Sequence, residues 1–166
     1  MDAFPRLKAR NLEGRAYQLP GDLDGELNVV IIAFQRWHQD LVDTWVPWLE
    51  RLEAERPSVR FYELPTLSNM YSMARGFIDG GMAAGIPSPA ARERTLTVYT
   101  DVRQALAAWR ISDNRTIWTM LVDKQGRILW RGEGPYSAPA ATSLLDAIDA
   151  GLGLDTAAGA AINRVR

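Results

Sequence analysis

One short stretch gathers the side chains with the most chemical reach. Arg36-Trp37-His38-Gln39 lies between an apolar run at 29–34 and a helical stripe that begins at Leu41. A helix start offers unpaired backbone N–H groups and a partial positive charge. On that basis the stretch reads as an anion or peptide site: Arg36 for charge, Trp37 for area, His38 for hydrogen bonding. It also reads as plain structure, with Gln39 or Asp40 capping the helix and Trp37 covering the edge of the core. His38 is the sole histidine, and an imidazole with a pKa near 6.5 suits a general base. Yet no serine or cysteine lies in the loop for it to activate, and Thr44 sits further along the helix.

A second group is Asp113-Asn114-Arg115-Thr116 with Ile117. Arg115 carries a fork of donors that fits a carboxylate, while Asp113-Asn114 is also simple turn chemistry. Arg92, Glu93 and Arg94 form a mixed-charge cluster that a solvated loop explains. The glycine-rich stretch at 80–85 lacks the spacing of a phosphate-binding loop and does not join a strand to a helix.

Several chemistries are excluded outright. The chain has no cysteine, which removes disulfides, thiolate nucleophiles, sulfur-ligated zinc and iron–sulfur clusters together. One histidine is too few for an ordinary catalytic zinc site. No metal and no cofactor are therefore expected. Nineteen basic and 20 acidic residues are interspersed, so no basic block exists to neutralise a row of phosphates, and nucleic acid is not expected as a partner. The longest wholly apolar run, 29–34, is far short of the roughly 20 residues that span a bilayer. With no basic-then-apolar leader at the N-terminus, the expectation is a cytoplasmic chain that does not insert into membranes.

The elements that must position these residues follow from periodicity. Residues 11–20 read as a short β-hairpin or edge strand around Gly14, and 21–25 as a turn. The run 29–34 is a strand buried on both faces, placed at the centre of a sheet. Leu41, Val42, Trp45, Trp48, Leu49 and Leu52 form the stripe of an amphipathic helix kinked by Pro47. Residues 59–64 give a second strand. Residues 69–82 give a helix with Tyr71, Met73, Ala74, Phe77 and Ile78 as its apolar positions. After a loop at 85–89 come a strand at 95–100, a short helix at 102–109, and a hairpin of 116–122 with 127–131 across Asp123-Lys124-Gln125-Gly126. A last helix covers 138–150, stopped at Gly151. Residues 152–166, rich in Ala and Gly, have few anchors and are expected to be loosely ordered. With 166 residues and no repeat, residues 1–150 form one domain.

This order is α/β with a mixed central sheet flanked by helices and an N-terminal hairpin. It resembles the thioredoxin-like superfamily in its peroxiredoxin or thiol–disulfide-reductase form. Three matches carry the resemblance: the lead-in Asn11-Leu12-Glu13-Gly14 through Asp22-Leu23-Asp24-Gly25 to the 29–34 strand; the spacing from Phe34 to Pro47; and Leu121-Val122-Asp123-Lys124-Gln125-Gly126-Arg127-Ile128 as the closing hairpin. By that spacing the two family cysteines fall on Gln39 and Val42, and the family's cis-proline falls on Ile117 after Thr116. A non-proline cis bond costs about 3–4 kcal/mol, so a trans bond is expected there. A narrower resemblance, through Gly85-Ile86-Pro87-Ser88-Pro89 with Arg92, 105–111 and 117–130, is to the thioredoxin-like ATP synthase assembly factors and their bacterial relatives.

The resemblance implies a fold whose usual thiol chemistry has no residue to run on. It implies a redox-inactive module that binds a protein or peptide, or assists assembly, with Arg36, Trp37, His38, Gln39, Arg115, Thr116 and Ile117 as candidate binding residues. The second reading is a cysteine-independent enzyme or small-molecule-binding protein using a pocket around Arg36, His38 and Arg115. A homodimer through an exposed strand edge is compatible with either.

Overall fold

A computed structural model describes residues 2–153; the expectation for the end of the chain, from residue 154 on, lies outside them. Seven strands form one mixed sheet in the order β2-β1-β5-β4-β3-β6-β7. They are β1 (Leu7–Asn11), β2 (Ala16–Leu19), β3 (Leu27–Ala33), β4 (Val59–Ser68), β5 (Leu96–Thr100), β6 (Trp118–Asp123) and β7 (Ile128–Glu133). Helices α1 (Gln39–Glu55), α2 (Arg75–Gly85), α3 (Pro89–Arg94), α4 (Val102–Trp109) and α5 (Ala138–Gly151) connect or cover them. The mixed sheet with its N-terminal hairpin is the architecture expected from the sequence.

β3 is central because its side chains are apolar on both faces. Successive strand residues point to opposite sides. Val30 and Ile32 join Trp109, Ala105 and Met120 in one core, while Val29 and Ile31 join Val42, Trp45, Leu49 and Leu144 in the other. β6 is used in the same way, with Met120 and Val122 in the first core and Leu121, together with Ile117 just before the strand, in the second. α1 and α5 thus cover one face, and α4 covers the other. Trp45 is fully buried, and its indole donates to the Gly134 carbonyl at 3.2 Å. Trp48 is only half-buried at the edge of that core. Pro47 lies inside α1, which continues to Glu55.

Four local expectations need correction. The N-terminal hairpin begins at Leu7 and pairs Leu7 with Leu19, so Asn11 closes β1 instead of opening the element; the Asn11 side chain accepts from the Glu13 and Arg15 backbones and makes the turn. Residues 69–82 are not one helix. Asn69–Ala74 is a 3₁₀ segment capped by Ser68, and α2 follows from Arg75. The 92–94 cluster is not a solvated loop either. Pro89–Arg94 is helical, with Ser88 as its cap, and Arg92 clasps the Ile86 and Pro87 carbonyls (2.7 and 3.0 Å) and Glu13 (2.9 Å). Finally, Thr116 and Ile117 precede the closing hairpin, whose first strand starts at Trp118.

The register decides what meets at the functional end. β3, β4 and β5 run parallel, and β6 runs antiparallel to β3. The segments after β3, after β4 and before β6 therefore share one end of the sheet, where open α/β sheets bind their ligands.

Candidate functional site: the loop between β3 and α1

Beyond Ala33 the chain leaves the sheet, makes a 3₁₀ turn at Arg36–His38, and enters α1 at Gln39. His38 shapes this turn. Its Nδ1 accepts the backbone N–H groups of Phe34 (3.0 Å) and Gln35 (3.2 Å). The ring is fully buried, edge-on to Phe34 and to Trp37, with centroids 6.4 and 4.5 Å away. Because Nδ1 accepts, the neutral ring carries its proton on Nε2, which is buried without a hydrogen-bond partner. Burial pushes the imidazole pKa below its ordinary value, and the Arg115 backbone facing it opposes that shift. His38 holds the loop from beneath, and an occupied Nδ1 is not a free base.

Trp37 and Arg36 lie above it. Trp37 is 58% exposed, and Arg36 is exposed and makes no ion pair among the described residues. Neither Gln39 nor Asp40 caps α1. The Gln39 amide instead bridges two carboxylates, Asp43 Oδ1 at 2.8 Å and Glu63 Oε1 at 3.1 Å. Val42, one turn on, is buried beneath α1. The two positions that the family spacing assigns to cysteines are thus one exposed amide and one core methyl pair.

Glu63 is a site residue that the sequence reading passed over. It sits on β4, within the residues 59–64 read as the second strand, and it is itself buried beside Gln39. Desolvation raises its pKa; the Gln39 hydrogen bond opposes this, Asp43 adds to it, and Arg94 opposes it. The available signal was a charged residue set among Phe61, Tyr62 and Leu64, which needs a partner when buried.

The 113–117 segment does meet the loop. Ile32 on β3 pairs with Trp118, so the chain just before β6 runs beside Ala33 and Phe34. Arg115 turns away: it is exposed and pairs with Asp113 of its own turn (2.9 Å), whose other oxygen accepts the Arg115 backbone N–H. Ile117 is buried in the core under α1, and its carbonyl accepts from Gly134 (2.9 Å). The only cis peptide among the described residues precedes Pro20, so Thr116–Ile117 is trans as expected. The candidate residues therefore divide: Arg36 and Trp37 present themselves to solvent, His38 supports their turn, Ile117 belongs to the core, and Arg115 is occupied.

No protein family and no curated protein matches the chain by sequence. Solved structures match it by shape. Yeast Sco1 superposes with a TM-score of 0.63 at 13% identity, covering 90% of this chain and 96% of that one. BsSco, described as a member of the Sco family of cytochrome c oxidase assembly proteins, gives 0.62 at 13%, covering 91% and 94%. The thioredoxin domain of a thiol-disulfide oxidoreductase from Bacteroides vulgatus gives 0.53 at 16%, covering 87% and 93%. At such identities the likeness is one of fold. The chain has a thioredoxin-like fold and no cysteine.

Proposed function

We propose that this chain is a redox-inactive thioredoxin-like module that binds a protein or peptide through the loop between β3 and α1. The observation that carries the reading is Trp37: a large aromatic held 58% exposed beside Arg36, which makes no ion pair among the described residues, on a turn fixed from below by His38. An indole seated edge-on against His38 yet left largely exposed makes sense at an interface, where Trp and Arg dominate binding energy. A fixed loop also lowers the entropy lost on association.

The enzyme reading is supported less well. His38 bonds to backbone, not to a carboxylate, and Arg115 is engaged with Asp113. The two cavities described, about 340 and 470 Å³, are lined by residues around Leu27 and Leu152 and around Tyr17 and Phe61, not by this loop. An assembly-assisting role, of the kind named for BsSco, is one form the binding would take.

A photocrosslinking amino acid placed at position 37 tests the proposal. A discrete adduct, absent when the crosslinker is moved to exposed Arg51 on α1, supports it. Identical labelling from both positions, or measured turnover of a small molecule by the free chain, contradicts it.

A further inference from the structure

Two backbone donors converge on one atom beneath Trp37. The N–H groups of Phe34 and Gln35 both point at His38 Nδ1, at 3.0 and 3.2 Å, and the His38 backbone N–H closes the same turn on the Gln35 carbonyl at 3.0 Å. The arrangement needs Nδ1 bare. In the imidazolium ion both ring nitrogens carry protons, so a proton on Nδ1 would face two N–H groups. Turning the ring over does not relieve this, because Nε2–H then takes the same place. The ring is fully buried and water does not reach it. The cation therefore does not fit the closed turn.

The surrounding charges do not rescue it. On its own turn and on α1, Arg36, Asp40 and Asp43 are exposed to solvent. Before β6, Asp113 and Arg115 pair with each other, and the Arg115 backbone alone faces the ring, favouring the charged form. On β4, Glu63 is taken up by Gln39. Phe34 and, behind it, Trp109 of α4 add only aromatic edges. Burial prevails, and the closed ring stays neutral to lower pH than a free imidazole does.

We infer that protonation of His38 opens the turn that carries Trp37, so that the exposed face of the loop between β3 and α1 is assembled at neutral pH and dismantled in acid. The opened ring titrates near the ordinary value of about 6.5. While the closed ring stays neutral, each pH unit below that value raises the open population roughly tenfold. Opening gives the Phe34 and Gln35 N–H groups to water and removes the ring edge on which the Trp37 indole is seated. β3 itself does not share the change, because β4 and β6 hold it from both sides. Glu63 works with the opposite sign: burial raises its pKa, so acid favours the form that keeps it buried. What the opening does to a partner rests on the reading of Trp37 given above; the opening itself belongs to the free chain and is measured there.

Amide exchange of the full chain, followed by NMR and expressed as protection relative to the unfolded rate at each pH, reads this opening. Between about pH 7 and about pH 4.5, protection at Phe34 and Gln35 should fall at least about tenfold, beginning near 6.5, while Val30 in β3 is unchanged. His38→Asn keeps a side-chain oxygen that can accept the two N–H groups and does not titrate, so its protection at both positions should be flat over the same range. Glu63→Gln keeps His38 and should retain the full fall, which decides the matter if His38→Asn does not fold. Constant protection at Phe34 and Gln35 in the parent, a fall shared by Val30, the same fall in folded His38→Asn, or its loss in Glu63→Gln overturns the inference.

Discussion

Gln39 Nε2 lies 3.1 Å from the buried carboxylate oxygen of Glu63, so the exposed start of α1 is tied to the interior of β4 by one amide. The folded chain holds the Glu63 proton more tightly than the unfolded chain does, because burial raises that pKa. Stability must therefore fall as pH climbs from the ordinary glutamate value of about 4.3 through the raised one. Glu63→Gln keeps an acceptor for Gln39 and removes the charge. Thermal melts should show the variant more stable than the parent at pH 7 and indistinguishable near pH 4; equal melting at both would show that the carboxylate carries no penalty.

His38 works with the opposite sign. Its folded pKa is depressed by burial, so its contribution is complete above the unfolded value near 6.5 and is lost as pH falls through the folded one. As the chain's only histidine, it gives one titrating imidazole signal in proton NMR, expected below 6.5. His38→Ala leaves the Phe34 and Gln35 N–H groups without their acceptor, at about 1–3 kcal/mol for each that stays buried. Chemical denaturation measures that loss, and a loss under about 0.5 kcal/mol, the scale of a surface substitution, would remove His38 from its supporting role.

Restoring sulfur tests whether Gln39 and Val42 occupy the family's cysteine positions. Residues three apart on a helix are neighbours, and a thiol at a helix N-terminus ionises readily. The Gln39→Cys, Val42→Cys double variant should form an internal disulfide under oxidised glutathione and reduce insulin at a low but measurable rate, against none for the parent. If both thiols remain free to alkylation under those conditions, the two positions do not have that geometry.

Much of the fold was legible because its strongest patterns have one physical reading. The 29–34 run has no polar residue to turn toward water, so β3 had to be central. Asp123-Lys124-Gln125-Gly126 joins two β-rich stretches, and Gly126 indeed adopts a positive φ of 81°. The segment after β4 was misleading for a reason equally physical. Apolar periodicity identifies a face but not what covers it, and here Arg75 and Asp79 bind the domain while Met73 and Phe77 face out. His38 was visible as a residue but its role was not. Accepting two backbone N–H groups depends on the turn at 34–38, which no spacing rule encodes.

The most direct test of the central claim compares affinity capture by the parent chain and by an Arg36→Ala, Trp37→Ala double variant, both confirmed folded by circular dichroism. A specific protein or peptide should be retained by the parent and lost by the double variant. Retention of the same partner in equal amount by both chains would contradict it.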